Sequence, residues 1–258
     1  MRTTPINKLL SDYGPFVLLV LLILTLWELV VRLNFIPSFI LPAPTAIWMA
    51  LLKHRKLLFG QHLLATLQEV LLGFILSVTC GTLLGIGMHM FRPLQKALYP
   101  FLIISQTIPL IALSPIFIMW FGYTLWSKVA VVFLTAFFPI VVATYDGLHK
   151  SDRAYEELLL TMGASRWQVL RTLGLPLALP SFFSGLKLSI VYCVIGATIG
   201  EWLGGSKGLG YYSRRMAGSM QSDEMFAAVF LLSALGIVLF LGIALLEKIT
   251  FKKRGSYR

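Results

Sequence analysis

The stretch MFAAVFLLSALGIVLFLGIALL, residues 225–246, runs for 22 residues without a charged side chain. A second uncharged run, residues 97–127, extends over 31 residues. A helix needs about 20 apolar residues to cross the hydrocarbon core of a bilayer, so each run is long enough to span a membrane. The chain of 258 residues is 13% charged, against about 25% in soluble domains, and its mean hydropathy is +0.82. These values predict an integral membrane protein.

Windows with few charges divide the chain into six predicted spans. Each is expected to be helical, because a helix satisfies its backbone hydrogen bonds within its own segment in lipid. The first window is closed by Glu28 and Arg32 and has no small-residue cleavage site after it, so we interpret it as a retained span rather than a secretory signal. The windows cover residues 14–34, 64–91, 97–121, 126–148, 178–203 and 226–248.

The distribution of basic residues predicts the orientation. With the N-terminus in the cytoplasm, 13 of the 22 Lys and Arg residues fall on the cytoplasmic side and 8 fall outside, which favours both termini inside. The net charge of +11 resides in short loops between spans, so nucleic-acid binding is not predicted. The segment 37–58, between the first two spans, predicts an amphipathic helix lying along the membrane surface.

A polar loop, residues 149–177, interrupts the apolar chain and is predicted to face the cytoplasm. Its sequence fits two short helices: Gly163 ends the first, Ser165 caps the second, and Pro176 stops it. Each helix is too short to be stable alone in water, so something must pack against it. The residues alone leave two interpretations open, an amphipathic loop on the lipid surface or a docking elbow for a partner protein.

The register of this loop resembles the EAA loop of ABC-importer permeases. In that family Glu-Ala-Ala is followed by three residues and a Gly, then nine residues, a branched apolar residue, one more residue and Leu-Pro. Glu157, Gly163 and the pair Leu175-Pro176 stand in register here, while Leu158 and Leu159 replace the alanines and Leu173 stands where Ile is usual. The strings "GASRWQVL", "LPSFFSGLKLS" and "IGEWLGGSKGLGYY" are similar to the branch that imports sulfonates, taurine, nitrate, thiamine pyrimidine precursors and riboflavin, and "SQTIP" and "EWLGGSKGLGYY" resemble its pyrimidine-precursor and riboflavin members.

The resemblance implies one all-α permease domain over residues 1–258, of the type I ABC-importer (MetI-like) fold. A first span, 14–34, would precede a core of five helices, 64–250, and residues 149–177 would be the coupling loop. The implied assembly is a homodimer in a bacterial inner membrane with two ATPase subunits, which bind ATP and Mg, and an extracytoplasmic solute-binding protein. The residues expected to couple to the ATPase are Glu157, Leu158, Leu159, Gly163, Ala164, Arg166, Leu175 and Pro176.

The spans also contain polar residues that can line a translocation path. Prolines at 100, 109 and 115 predict a kinked third span, whose polar side chains either face the path or form bonds between helices. Lys187 is expected to snorkel, Glu28 and Glu69 to be interfacial, and Glu201 to lie at the outer rim as a gate or boundary residue. The path candidates are Ser105, Gln106, Thr107, Ser114, Tyr192, Thr198 and Glu201.

Several other functions are disfavoured by the sequence. The string GGSKGLG, residues 204–210, lacks P-loop spacing, so ATP hydrolysis requires a separate chain. Cys80 and Cys193 lie in apolar spans, the four histidines are scattered, and no catalytic cluster or cofactor site is predicted. An ion-coupled transporter would show paired intramembrane acids or inverted repeats, and a membrane enzyme would show a catalytic cluster; neither pattern is clear.

Overall fold

The computed structural model describes residues 5–150 and 153–254, so residues 151 and 152 of the predicted loop lie outside the described part. Within that part five helices are long and apolar enough to cross a membrane, or six if one bent pair counts as a span. The helices of the described residues are α1 (Pro5–Arg32), α2 (Pro44–Lys53), α3 (Arg55–Met90), α4 (Arg92–Ser105), α5 (Leu110–Phe121), α6 (Leu125–Leu148), α7 (Arg153–Thr161), α8 (Arg166–Gly204), α9 (Leu209–Gly218) and α10 (Ser222–Arg254).

Helix α6 lies at the centre of the bundle, between α3 and α8. Small residues permit this close packing, because a Cβ added at Gly81 would lie 3.0 Å from the Ile140 side chain, and one at Gly196 would lie 2.7 Å from Thr135 Oγ1. Membrane helices associate through such close contacts, because moving an apolar side chain from lipid into the bundle gains no hydrophobic free energy. The outer helices α1 and α10 expose their apolar side chains instead, as expected for surfaces that face lipid.

The third predicted span is broken rather than kinked. Helices α4 and α5 meet at 103°, with residues 106–109 between them, so the expectation of one kinked helix over 97–121 was wrong. At the break, turn bonds from the Thr107 N–H to Ile104 O at 3.0 Å and from the Ile108 N–H to Ser105 O at 3.3 Å replace the regular bonds of α4. Hydroxyls of Ser105 and Thr107 donate to Leu102 O at 2.9 Å and Ile104 O at 2.7 Å, which stabilises this helix end.

The fifth span also differs from its prediction, because it includes the second helix of the polar loop. Pro176 was predicted to stop that helix, but α8 continues past it, from Arg166 to Gly204. A π-helical turn, Leu170–Gly174, directly precedes the proline. Proline lacks the N–H that an α-helix needs and collides with the preceding turn, and a widened turn at this point absorbs the mismatch. The second helix of the polar loop and the fifth span therefore form one continuous helix.

The first two helices contact each other through a carboxylate. Glu28, near the end of α1, accepts hydrogen bonds from the Thr45 N–H at 3.1 Å and the Thr45 hydroxyl at 2.7 Å, and it pairs with Arg32 at 2.7 Å. Because Thr45 lies in the first turn of α2, Glu28 satisfies an N–H group that has no partner within that helix. Helix α2 occupies part of the predicted surface segment 37–58.

Candidate coupling elbow and translocation path

The elbow, residues 149–177, has a sharp turn between its two helices. Gly163 has φ of +89°, a conformation that favours glycine, and it ends α7 as the sequence predicted. The Gly163 N–H donates to Leu160 O at 3.0 Å and the Ala164 N–H to Leu159 O at 3.0 Å. These two bonds form a Schellman motif, which satisfies carbonyls at the helix end.

The second elbow helix begins with a reciprocal cap. The Gln168 N–H donates to Ser165 Oγ at 3.3 Å, and the Ser165 N–H donates to Gln168 Oε1 at 2.7 Å. This capping box confirms the predicted role of Ser165. The turn at Gly163 and the cap at Ser165 are local features that set the angle between α7 and α8.

The elbow presents apolar side chains that the described bundle leaves uncovered. Leu158 is 56% exposed, Met162 76% and Trp167 55%, and Glu157 is exposed beside them. The opposite side of the elbow is anchored, since Val169 and Leu170 are buried and Leu170 packs with Leu148 and Ala178. One side of the elbow thus holds to the bundle while the other is available to a partner.

A cavity of about 700 Å³ separates the elbow from the adjacent ends of α3, α4 and α6. The rings of His89 and His149 meet edge to face at 5.0 Å in its wall. The cavity gives the elbow room to move relative to the bundle. Its polar lining includes His89, Arg92, Gln95, Lys96, Tyr145, His149, Glu156 and Arg166.

A second cavity, of about 720 Å³, lies beside the break between α4 and α5, and we call it the span cavity. Its polar and aromatic lining comes from α4, α6 and α8 and from residues just after the ends of α4 and α6. Lys150 lies at one end, where its Nζ donates to Ser181 Oγ at 2.9 Å. Besides apolar residues, the lining comprises Tyr99, Gln106, Asp146, Lys150, Ser181, Ser184 and Tyr192.

The structure distributes the path candidates among different environments. Gln106 and Tyr192 line the span cavity, whereas Thr198 lines a separate groove of about 580 Å³ between α8 and α10. Ser105 and Thr107 bond to their own helix end, as described above. Ser114 and Glu201 are each 1% exposed, so neither lines an open cavity in this conformation.

Two charged residues of the spans have partners that the sequence did not predict. Glu69 is buried within the bundle and its Oε1 lies 2.6 Å from Lys128 Nζ, because an isolated carboxylate in the bundle would be too costly. Lys187 pairs through its Nζ with Glu247 Oε2 at 2.8 Å. The sequence signal for both pairs was a single ionisable residue in an apolar window, which generally implies a partner.

Comparison with known proteins identifies the family to which the chain belongs. Residues 77–252 match the family described as binding-protein-dependent transport system inner membrane component. The chain belongs to this family. It is a non-catalytic permease subunit of an ATP-binding-cassette importer, located in the plasma membrane, and its family implies an ATPase and a solute-binding protein as partners.

Similar proteins and structures agree with this assignment. The permease is 47% identical over 229 residues to the formylaminopyrimidine transport permease protein ThiX of Halalkalibacterium halodurans, covering 89% of this chain and 91% of that one. It is 36% identical to the riboflavin transport system permease protein RibX of Chloroflexus aurantiacus, covering 92% and 88%. An inward-facing structure of the MetNI methionine ABC transporter matches the fold with a TM-score of 0.62 at 19% identity, covering 72% of this chain and 92% of that one.

Proposed function

We propose that the permease imports a pyrimidine precursor of thiamine, of the formylaminopyrimidine class. The observation that carries this proposal is the gradient of identity among relatives. Identity is 47% with the formylaminopyrimidine permease, 36% with the riboflavin permease and 30% with a putative aliphatic sulfonates permease of Bacillus subtilis, each over most of the chain.

The lining of the span cavity supports a neutral heterocycle over an anion. Tyr99, Gln106 and Tyr192 offer aromatic faces and amide hydrogen bonds, which suit a small aminopyrimidine. A sulfonate or nitrate path would be expected to present cations, yet Lys150 is the one basic residue in the described lining and it already bonds to Ser181. Asp146 lies in the same lining and would repel an anion.

We propose further that two copies of the permease pair around this cavity. Phe101, Ile104, Ile111 and Trp120 expose apolar surface on α4 and α5, beside the break that borders the cavity. A second copy on this face would enclose the path along a two-fold axis. Two ATPase subunits, each with its own ATP and Mg, would then grip the two elbows.

In this scheme the ATPase subunits drive the permease by displacing the elbow. Glu157 and its apolar neighbours contact the ATPase, and closure of the two ATPases displaces the elbows together. Because the second half of the elbow is continuous with α8, the displacement reaches the wall of the span cavity at Tyr192 directly. The permease alternates between inward-open and outward-open states, and ATP shifts their populations.

Uptake by the reconstituted importer tests the solute. The permease, its ATPase and its binding protein are assembled in proteoliposomes containing ATP, and labelled formylaminopyrimidine is supplied outside. We expect saturable uptake that stops without ATP and that excess taurine does not reduce. Preferential uptake of riboflavin, taurine or another sulfonate would contradict the proposed solute while leaving the importer assignment intact.

A further inference from the structure

A cluster of buried polar groups lies at the end of the bundle opposite the elbow, and we call it the polar node. It brings together α3, α6 and α8, because Glu69, Lys128 and Glu201 meet there with 0%, 8% and 1% of their surfaces exposed. Lys128 pairs with Glu69 at 2.6 Å, and the carboxyl groups of Glu69 and Glu201 are neighbours. The remaining members are His62, Thr66 and the backbone of residues 208–211.

Glu201 is the acceptor around which the node is built. Its Oε1 accepts the Thr66 hydroxyl at 2.6 Å, and its Oε2 accepts the N–H groups of Gly210 at 2.5 Å and Tyr211 at 3.3 Å. Those two N–H groups belong to the first turn of α9, where a helix has no internal partners for its donors. A side chain of α8 therefore caps α9.

Thr66 and His62 complete the attachment of α9 to α3. The Leu209 N–H donates to Thr66 Oγ1 at 2.8 Å, and the Gly208 N–H donates to His62 Nδ1 at 3.1 Å. Gly208 has φ of +117°, and any Cβ there would overlap the Glu201 carboxyl group. The start of α9 is thus bonded side by side to two spans, and a shift of α9 must displace both or break these bonds.

The outer side of the same segment carries unpaired positive charge. Lys207, Arg214 and Arg215 are exposed, and among the side chains that the structure describes, residues 14–150 and 154–252, no carboxylate forms a salt bridge with them. The far side of α9 is held as well, since the Tyr212 hydroxyl donates to Glu224 at the start of α10. Burial and Glu224 raise the pKa of Tyr212, so this hydroxyl remains a donor at neutral pH.

We propose that the polar node transmits docking of the solute-binding protein from α9 to the spans, with Glu201 and Thr66 as its positioning residues. An acidic rim on the binding protein contacts Lys207, Arg214 and Arg215. The resulting displacement of α9 passes through Glu201 to α8 and through Thr66 to α3. Since α8 extends from the node to the elbow, docking at one end biases the ATPase at the other. The proposal rests on the importer having a binding protein and not on the identity of its solute.

A matched pair of variants at Thr66 tests this transmission. Thr66→Val keeps the volume but loses the hydroxyl that donates to Glu201 and accepts from Leu209, whereas Thr66→Ser keeps both bonds. ATP hydrolysis is measured in proteoliposomes with and without loaded binding protein. We expect Thr66→Val to retain basal hydrolysis and to lose stimulation by a factor on the order of ten, a typical coupling between sites. Thr66→Ser should be stimulated like the wild type.

Binding affinity separates transmission from docking. The Arg214→Glu, Arg215→Glu double variant should weaken the apparent affinity for the binding protein, while Thr66→Val and Glu201→Gln should leave that affinity unchanged and lower only the stimulation. Normal stimulation of Thr66→Val and Glu201→Gln would overturn the proposal. So would loss of basal hydrolysis together with stimulation, because the node would then be merely structural. Failure of the solute assignment would appear separately, as a different solute in the uptake experiment.

Discussion

The two ends of the permease bundle are held by different means. At the polar node, buried side chains of three spans meet around two carboxylates, and the start of α9 is bonded to two of these spans. At the elbow, the turn at Gly163 and the cap at Ser165 are local, and Leu158, Met162 and Trp167 remain exposed. The node is built from residues of one chain, whereas the elbow has an apolar surface that is open to a partner.

This difference indicates where each end receives its signal. A rigid node transmits small displacements because its buried polar groups lose hydrogen bonds when they separate. The elbow is anchored to the bundle on one side only, and a cavity of about 700 Å³ beside it leaves space for a displacement. Helix α8 joins the two ends. Because they are held by different means, variants at the node and at the elbow should change different measured properties.

The largest effect is expected at the elbow turn. Gly163→Val places a β-branched residue at φ of +89°, which L-residues avoid, although a Cβ there meets no other atom within 4 Å. The strain should open the turn and displace Glu157, so ATP-dependent uptake should fall to background while membrane insertion persists. Gly163→Asn is the matched control, because Asn tolerates this conformation, and it should retain much of the uptake.

Glu157→Lys tests the same surface without backbone strain. It reverses a charge on the exposed side of α7, so it should abolish co-purification with the ATPase while the thermal stability of the permease stays unchanged. Wild-type uptake by both Gly163→Val and Glu157→Lys would contradict the assignment of the elbow as the coupling surface.

The sequence anticipated the elbow better than the node for a physical reason. Gly163 and Ser165 act on neighbours within a few residues, so their roles follow from local chemistry. Glu69, Lys128 and Glu201 are separated by 59 and 73 residues, and their meeting depends on how three helices pack. The sequence therefore assigned Glu69 and Glu201 only a position near the span ends and no partner. The break at residues 106–109 and the continuity of α8 past Pro176 were missed because both depend on tertiary context.

The next largest effect is expected at Lys128. Lys128→Met leaves the Glu69 carboxyl buried without its cation, and removal of one partner of a buried pair costs about 3–5 kcal/mol. We expect a marked fall in the midpoint of thermal unfolding of the detergent-solubilised permease. The double variant Lys128→Met, Glu69→Gln should recover much of the loss, because no unpaired charge remains. A single variant as stable as the wild type would show that the node does not hold this end together.

The smallest effect is expected at the elbow cap. Ser165→Ala removes the acceptor for the Gln168 N–H, and loss of such a cap costs about 1 kcal/mol. Because the cap is local, faster hydrogen exchange should be confined to the first turn of α8, and the midpoint of thermal unfolding should hardly change. Ser165→Asp supplies an equivalent acceptor and should restore slow exchange. If Ser165→Ala instead loosened α9 or lowered global stability as Lys128→Met does, the elbow would be bonded into the bundle as tightly as the node, and the distinction between the two ends would fail.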